Sequence, residues 1–276
     1  MARLKSIVFP AAFAIVAALA DSSVSAGPKS YVGKKSGSLV SMDKIDHAPW
    51  DTLLKKYVDG DGNVNYQGWH ASTNDRQQLD NYLSTLSTAS SKLPATPAAK
   101  KAFWINAYNA VTISGILQVY PTSSIRNHTA KVFGYNIWFD YQLYVGGEPY
   151  ALDAMEHKIL RKMSDPRIHF AIVCASVGCP RLLNEAYVAE RLDEQLEVNA
   201  RDFFSRSQNL KYDANRNRFE LSSIMNWFGG DFGANQKAQL RRIAPWLPTP
   251  EAKQAAERGS VSVSFQDYNW NLNEQK

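Results

Sequence analysis

The sequence predicts an α+β fold, a single compact mixed domain, on three observations. Ala98 to Val119 is the longest stretch with helical spacing and is apolar almost all round, as expected of a central helix packed on several sides. Val132 to Tyr150 is aromatic and β-branched around Gly146-Gly147, the pattern of a hairpin. Arg167 to Leu182, RIHFAIVCASVGCPRL, predicts a strand, a cysteine loop and a following helix near the middle of the chain. Its apolar residues His169 to Cys174 do not alternate with polar ones, so the expected strand is buried on both faces.

The elements follow in order. Residues 1–26 have the plan of a secretory signal peptide: Arg3 and Lys5 at the start, an uncharged apolar core from Ile7 to Ala20, and small residues at Val24-Ser25-Ala26. A cut after Ala20 is the alternative. The apolar run is short for a membrane span, so the expectation is export, to a periplasmic or extracellular location, with no integral membrane association. Residues 27–47, rich in Gly, Ser and Lys, read as a flexible leader. The globular domain is expected over 48–276, roughly the size of one core.

Within it, Trp50, Leu53, Leu54, Tyr57 and Val58 recur at helical spacing. Asp59 to Asn65 makes a turn, and Val64 with Tyr66 suggests a short extended piece. A calcium loop is excluded there, because Val64 stands at the required glycine and His70 at the closing glutamate. Leu79, Tyr82, Leu83 and Leu86 mark a second helix. Further helices are expected at Leu152–Lys162, from about Asn184 to Ser205, and at Lys237–Trp246. Phe219 to Leu221 and the alternating Val261, Val263 and Phe265 read as strands, with a glycine-punctuated turn at Trp227–Gly233.

The formal charge of +5 is dispersed over pairs such as Lys100-Lys101 and Arg241-Arg242. Nucleic acid favours a concentrated basic face, so no nucleic-acid partner is expected. No cofactor is expected either. The ligand is left open as a small molecule, a peptide or a glycan.

Six residues are candidates for chemistry. Glu156 falls among Leu152, Met155, Ile159 and Leu160 on one helical face, where a carboxylate must be paired or protonated. It reads as a salt-bridge partner or as a tuned acid or base, with His157 beside it as a proton carrier. Asn106 and Asn109, one turn apart on the apolar helix, either fix neighbouring backbone or orient an imidazole. Cys174 and Cys179 are the two cysteines of the chain. In an exported protein they read first as a disulfide, then as an activated thiol, and least as a zinc site completed by His157 or His169. On a strand His169 and Cys174 point to opposite faces, which makes His157 the better thiol partner.

AFWINAYNAV (Ala102 to Val111), LDAMEHKILR (Leu152 to Arg161) and RIHFAIVCASVGCPRL together resemble the family called domain of unknown function 547. The early WDTLLKKYV and GNVNYQGW and the late DYNWNLN agree with its ends. The resemblance implies an exported bacterial domain and brings no reaction, cofactor or catalytic residue. Two functions remain open from the residues: a thiol- or carboxylate-dependent hydrolase or transferase, or a binding or scaffold domain with a structural disulfide.

Overall fold

Thr96 opens the helix around which the molecule is built, its hydroxyl accepting from the amide of Ala99 at 3.2 Å. Pro97 occupies the first turn, where its missing N–H is not needed. In this computed structural model, which describes residues 28–130 and 135–276, the helix runs Pro97–Val119 and every residue from Ala102 to Leu117 is buried. The expected signal peptide at 1–26 lies outside the described residues, as does the 132–134 part of the expected hairpin.

Around the central helix pack Ala48–Tyr57, Tyr66–Ala71 and Thr73–Leu86, with Trp50, Trp69 and Tyr82 fully enclosed between them. A second, smaller core gathers Phe170, Phe203, Phe204, Phe219 and Trp246 under the helices Leu192–Ser205, Gln236–Ile243 and Pro250–Arg258. The last of these, and the strand Leu210–Asp213, escaped the sequence reading.

Two three-stranded sheets share one plan. β1 (Ser30–Val32) runs parallel to β2 (Tyr141–Val145), which pairs antiparallel with β3 (Glu148–Ala151) across the Gly146-Gly147 turn. Likewise β4 (Leu210–Asp213) pairs antiparallel with β5 (Arg218–Leu221), and β5 runs parallel to β6 (Ser262–Phe265). In each, a local hairpin recruits a strand distant in sequence. Both glycines at the first hairpin have positive φ, 60° and 88°, which the tight turn requires.

The expected α+β fold is therefore the fold observed, with corrections in detail. Residues 27–47, read as a leader with little to bury, supply β1 and bury Met42 and Ile45. Ile137–Asp140 is a helical turn where the hairpin was expected to begin, and Tyr66 starts a helix where an extended piece was expected. The helix expected from Asn184 begins with a 3₁₀ turn at Ala189, then runs Leu192–Ser205. The turn expected at Trp227–Gly233 holds the end of one short helix and the four-residue helix Gly229–Phe232. The largest correction concerns His169 to Cys174. No strand forms there: Pro166–Phe170 is a 3₁₀ helix, followed by an irregular buried segment.

Candidate active site

The irregular segment can be buried because side chains replace the ladder a strand would have had. Asn109 donates from Nδ2 to the Ala171 carbonyl at 2.9 Å and accepts the Val173 amide at 3.0 Å. Asn106 does the same for Tyr187, at 2.7 and 3.0 Å. Buried peptide groups need partners, and two amides on the central helix supply them to two loops. Of the two roles open to Asn106 and Asn109, fixing backbone is the one observed; neither carboxamide bonds an imidazole.

Cys174 and Cys179 are joined as a disulfide, with Cα atoms 6.3 Å apart. The thiol–imidazole pair expected of a nucleophile is thus not present in this structure. Ala175, between them in sequence, holds φ at 56°, a conformation uncommon for a residue with a side chain. A late stretch of chain lies across the loop: Val177 and Gly178 donate to the carbonyls of Asn271 and Asn269, both at 2.8 Å. Gly178 permits this approach, since a Cβ there would stand 3.0 Å from the Asn269 nitrogen.

This loop forms one side of a cavity of about 230 Å³ between the two cores. Asp153, Glu156, His157 and His169 line it, together with both cysteines, so four of the six expected site residues share one cleft. Aromatic rings complete the lining. Trp227, Tyr268 and Trp270 pack against one another with ring centroids 4.5–5.9 Å apart, and Trp227 is 47 % exposed.

Glu156 sits where the helix Leu152–Ala154 widens into a π-helical segment, Met155–Leu160. Such wider turns break the regular side-chain phase and recur at functional sites. Its carboxyl is 9 % exposed and accepts from the Tyr108 hydroxyl at 3.2 Å. Burial raises its pKa above the ordinary carboxylate value, partly offset by His157, Tyr108 and Arg161. The salt bridge that was the other reading of Glu156 is not seen among the described residues.

Arg161 instead makes a bidentate pair with Asp231, Nε to Oδ2 at 2.6 Å and Nη2 to Oδ1 at 2.8 Å. Arg161, with His169, holds the Asp231 pKa down to about 2 despite partial burial. The same carboxylate accepts from His169 Nε2 at 2.8 Å, so the proton of that imidazole lies on Nε2. Burial of His169, only partly opposed by Asp231, pushes its pKa below the usual value. Arg161 also meets His157 Nδ1 through Nη1 at 3.0 Å, and Nε2 of that ring lies 3.7 Å from Asp153 Oδ1. A polar chain thus links the cleft residues His169, His157 and Asp153 through Asp231 and Arg161, with Glu156 standing apart from it.

Of these residues Asp231 escaped the sequence reading, and His169 and Asp153 stood outside its six candidates. His169 was placed on the far side from Cys174 by a strand that does not exist. Asp231 comes from a glycine-rich turn 62 residues beyond His169, with no local pattern to connect them. Asp153 was seen only as a neighbour of His157. Among the described residues, no cluster of three or more His, Cys, Asp and Glu side chains is arranged to hold a metal ion, which removes support from the zinc reading. No helix among them is long and apolar enough to cross a membrane.

The polar wall of this cleft, from Tyr108 through Pro180, lies inside one segment that compares with a known family. Residues 94–204 match the family "Protein of unknown function, DUF547". The match contains all three central motifs of the resemblance, while Trp227, Asp231, Tyr268 and Trp270 fall beyond it. No curated protein and no solved structure matches the chain.

Proposed function

We propose that the cleft is the site of a carboxylate-dependent hydrolase or transferase of an exported protein, acting on a saccharide. The observation that carries this reading is a buried carboxyl group, Glu156, lining the same cavity as a cluster of aromatic rings of which Trp227 is exposed. An acid whose pKa is raised by burial keeps its proton to higher pH than an exposed carboxyl, the direction a proton donor to a leaving oxygen needs. Asp153, a third exposed and steadied by His157, accepts the proton of the attacking water or hydroxyl. Two carboxyl groups in unlike surroundings at one cleft are the working pair of glycoside chemistry. Trp227, Tyr268 and Trp270 offer flat apolar faces, against which the C–H face of a sugar ring packs while its hydroxyls meet the polar wall. The cysteines, being joined, are not the nucleophile.

Export rests on the signal-peptide pattern of residues 1–26. The test is titration of the purified protein with soluble β-linked glucose and N-acetylglucosamine oligomers, followed by tryptophan fluorescence. Binding that Trp227→Ala weakens about tenfold, the scale of one lost stacking contact, supports the reading. Failure of every oligomer to bind, with peptides binding instead, overturns the saccharide assignment.

A further inference from the structure

The disulfide in the cleft wall has an asymmetric setting. Cys174 is half-buried and Cys179 is 8 % exposed, and both face the cavity. The Cys179 sulfur accepts the amide of Cys174 at 2.9 Å and lies 3.1 Å from the Tyr268 hydroxyl. Ser176 Oγ stands 3.1 Å from Tyr268 Oη and 3.5 Å from Cys179 Sγ, and since disulfide sulfurs carry no hydrogen these two hydroxyls are the donors there. Cys174 Sγ also lies 3.1 Å from the Ser176 and Tyr268 hydroxyls, but no amide of the described residues points at it. The two sulfurs thus differ by one backbone donor aimed at Cys179.

In disulfide exchange the sulfur that leaves as the better-stabilised thiolate leaves faster. Burial raises the Tyr268 pKa, which keeps this phenol protonated and a donor. The loop also has supports that do not depend on the S–S bond. Asn109 grips Ala171 and Val173 ahead of it, and Asn269 and Asn271 grip Gly178 and Val177 within it. Opening the bond therefore leaves both sulfurs near their places.

We propose that Cys174–Cys179 is an exchange-active disulfide whose acceptor sulfur is Cys174 and whose leaving sulfur is Cys179. The co-reactant is a thiol, either a small molecule or a cysteine of a partner protein. Its thiolate attacks Cys174 Sγ and forms a mixed disulfide there, while the electron pair of the broken bond goes to Cys179 as a thiolate. A second thiolate attacks the external sulfur of that mixed disulfide and frees Cys174. The sum is two external thiols oxidised to one disulfide and one protein disulfide reduced to two thiols. This proposal does not depend on Glu156 or on any saccharide.

The test uses the oxidised wild-type protein with millimolar reduced glutathione as the probe. The reaction is quenched by N-ethylmaleimide at intervals and mapped by peptide mass spectrometry. The expected early species carries glutathione on Cys174 and maleimide on Cys179. Tyr268→Phe, confirmed folded by its thermal transition, is expected to slow the adduct's appearance about tenfold, the effect of removing one hydrogen bond to a developing thiolate. Glutathione found first on Cys179 overturns the assignment of roles. A disulfide unreacted after hours in folded protein overturns the proposal and leaves an inert cross-link.

Discussion

The two walls of the cleft are made of opposite materials. One carries Asp153, Glu156, His157 and His169, and its polar groups are held by named partners: Tyr108 on Glu156, Arg161 on His157, Asp231 on His169. The other is a stack of aromatic rings with Trp227 open to solvent. The first lies within the segment matched by the family, the second beyond it. A wall of fixed donors and carboxyls can move protons. A wall of rings selects by shape and is indifferent to small shifts, so it can be altered without disturbing the proton chemistry.

Glu156→Gln tests the division most severely. Gln keeps an acceptor for Tyr108 and removes the proton, so turnover of any saccharide that the protein hydrolyses should fall about 10²–10⁴-fold, the usual share of acid–base catalysis. Stability should move the other way. Glu156 has its pKa raised by burial, so in the wild type stability is full below the unfolded value and declines as pH rises through the folded one. Urea midpoints of the variant should therefore match the wild type near pH 4 and equal or exceed it at pH 8. Retained turnover would place the chemistry elsewhere.

Asn109→Ala should be the next largest effect. It orphans the Ala171 carbonyl and the Val173 amide, at about 1–3 kcal/mol each, for a total of about 2–6 kcal/mol by urea unfolding. A cost under about 1 kcal/mol would mean that the polar wall does not hang from the central helix.

Acid sensitivity gives the smallest effect and asks where it resides. His47, beside the helix Ala48–Tyr57 and 2.7 Å from the Tyr82 hydroxyl, has its pKa pushed down to about 4 by burial. A base held neutral in the fold but free to charge when unfolded contributes stability above its unfolded pKa, lost as pH falls from about 6.5 to 4. That contribution is at most about 3 kcal/mol. His169 is shifted in the same direction inside the polar wall. Unfolding of His47→Gln and of His47→Gln/His169→Gln across this window separates the two: the part of the slope lost only in the double variant belongs to His169. A slope unchanged from the wild type would show that the first helix carries none of it.

How much was legible follows from the kind of signal each element has. The central helix was read to within one residue of its start, because a 23-residue apolar pattern bounded by Pro97 and Pro121 has few alternatives. The Gly146-Gly147 hairpin was read for the same reason. His169 to Cys174 was misread because a short apolar run shows only that it is buried. Whether a ladder or a side chain satisfies its backbone is decided about 60 residues away, at Asn109. The segment 27–47 looked solvated by composition, yet three residues suffice for an edge strand when β2 is waiting for them. Glu156, His157 and the cysteines were found because each is a polar group in apolar company. Asp231 was not, because a carboxylate in a glycine turn looks like any surface residue until Arg161 reaches it.

The strand of chain laid across the cysteine loop has a consequence in time. Asn269 and Asn271 bind the amides of Gly178 and Val177, Tyr268 meets both sulfurs, and Asn273 ties onward to Val64 near the first helices. During synthesis the central helix, the loop and both cysteines emerge nearly a hundred residues before this clasp does. Until it arrives, Gly178 and Val177 lack these partners and the aromatic platform lacks two of its three rings. The cleft is thus a late product of the nascent chain, and a pause in translation between residues 180 and 268 would present the paired cysteines to the surroundings before their cover exists.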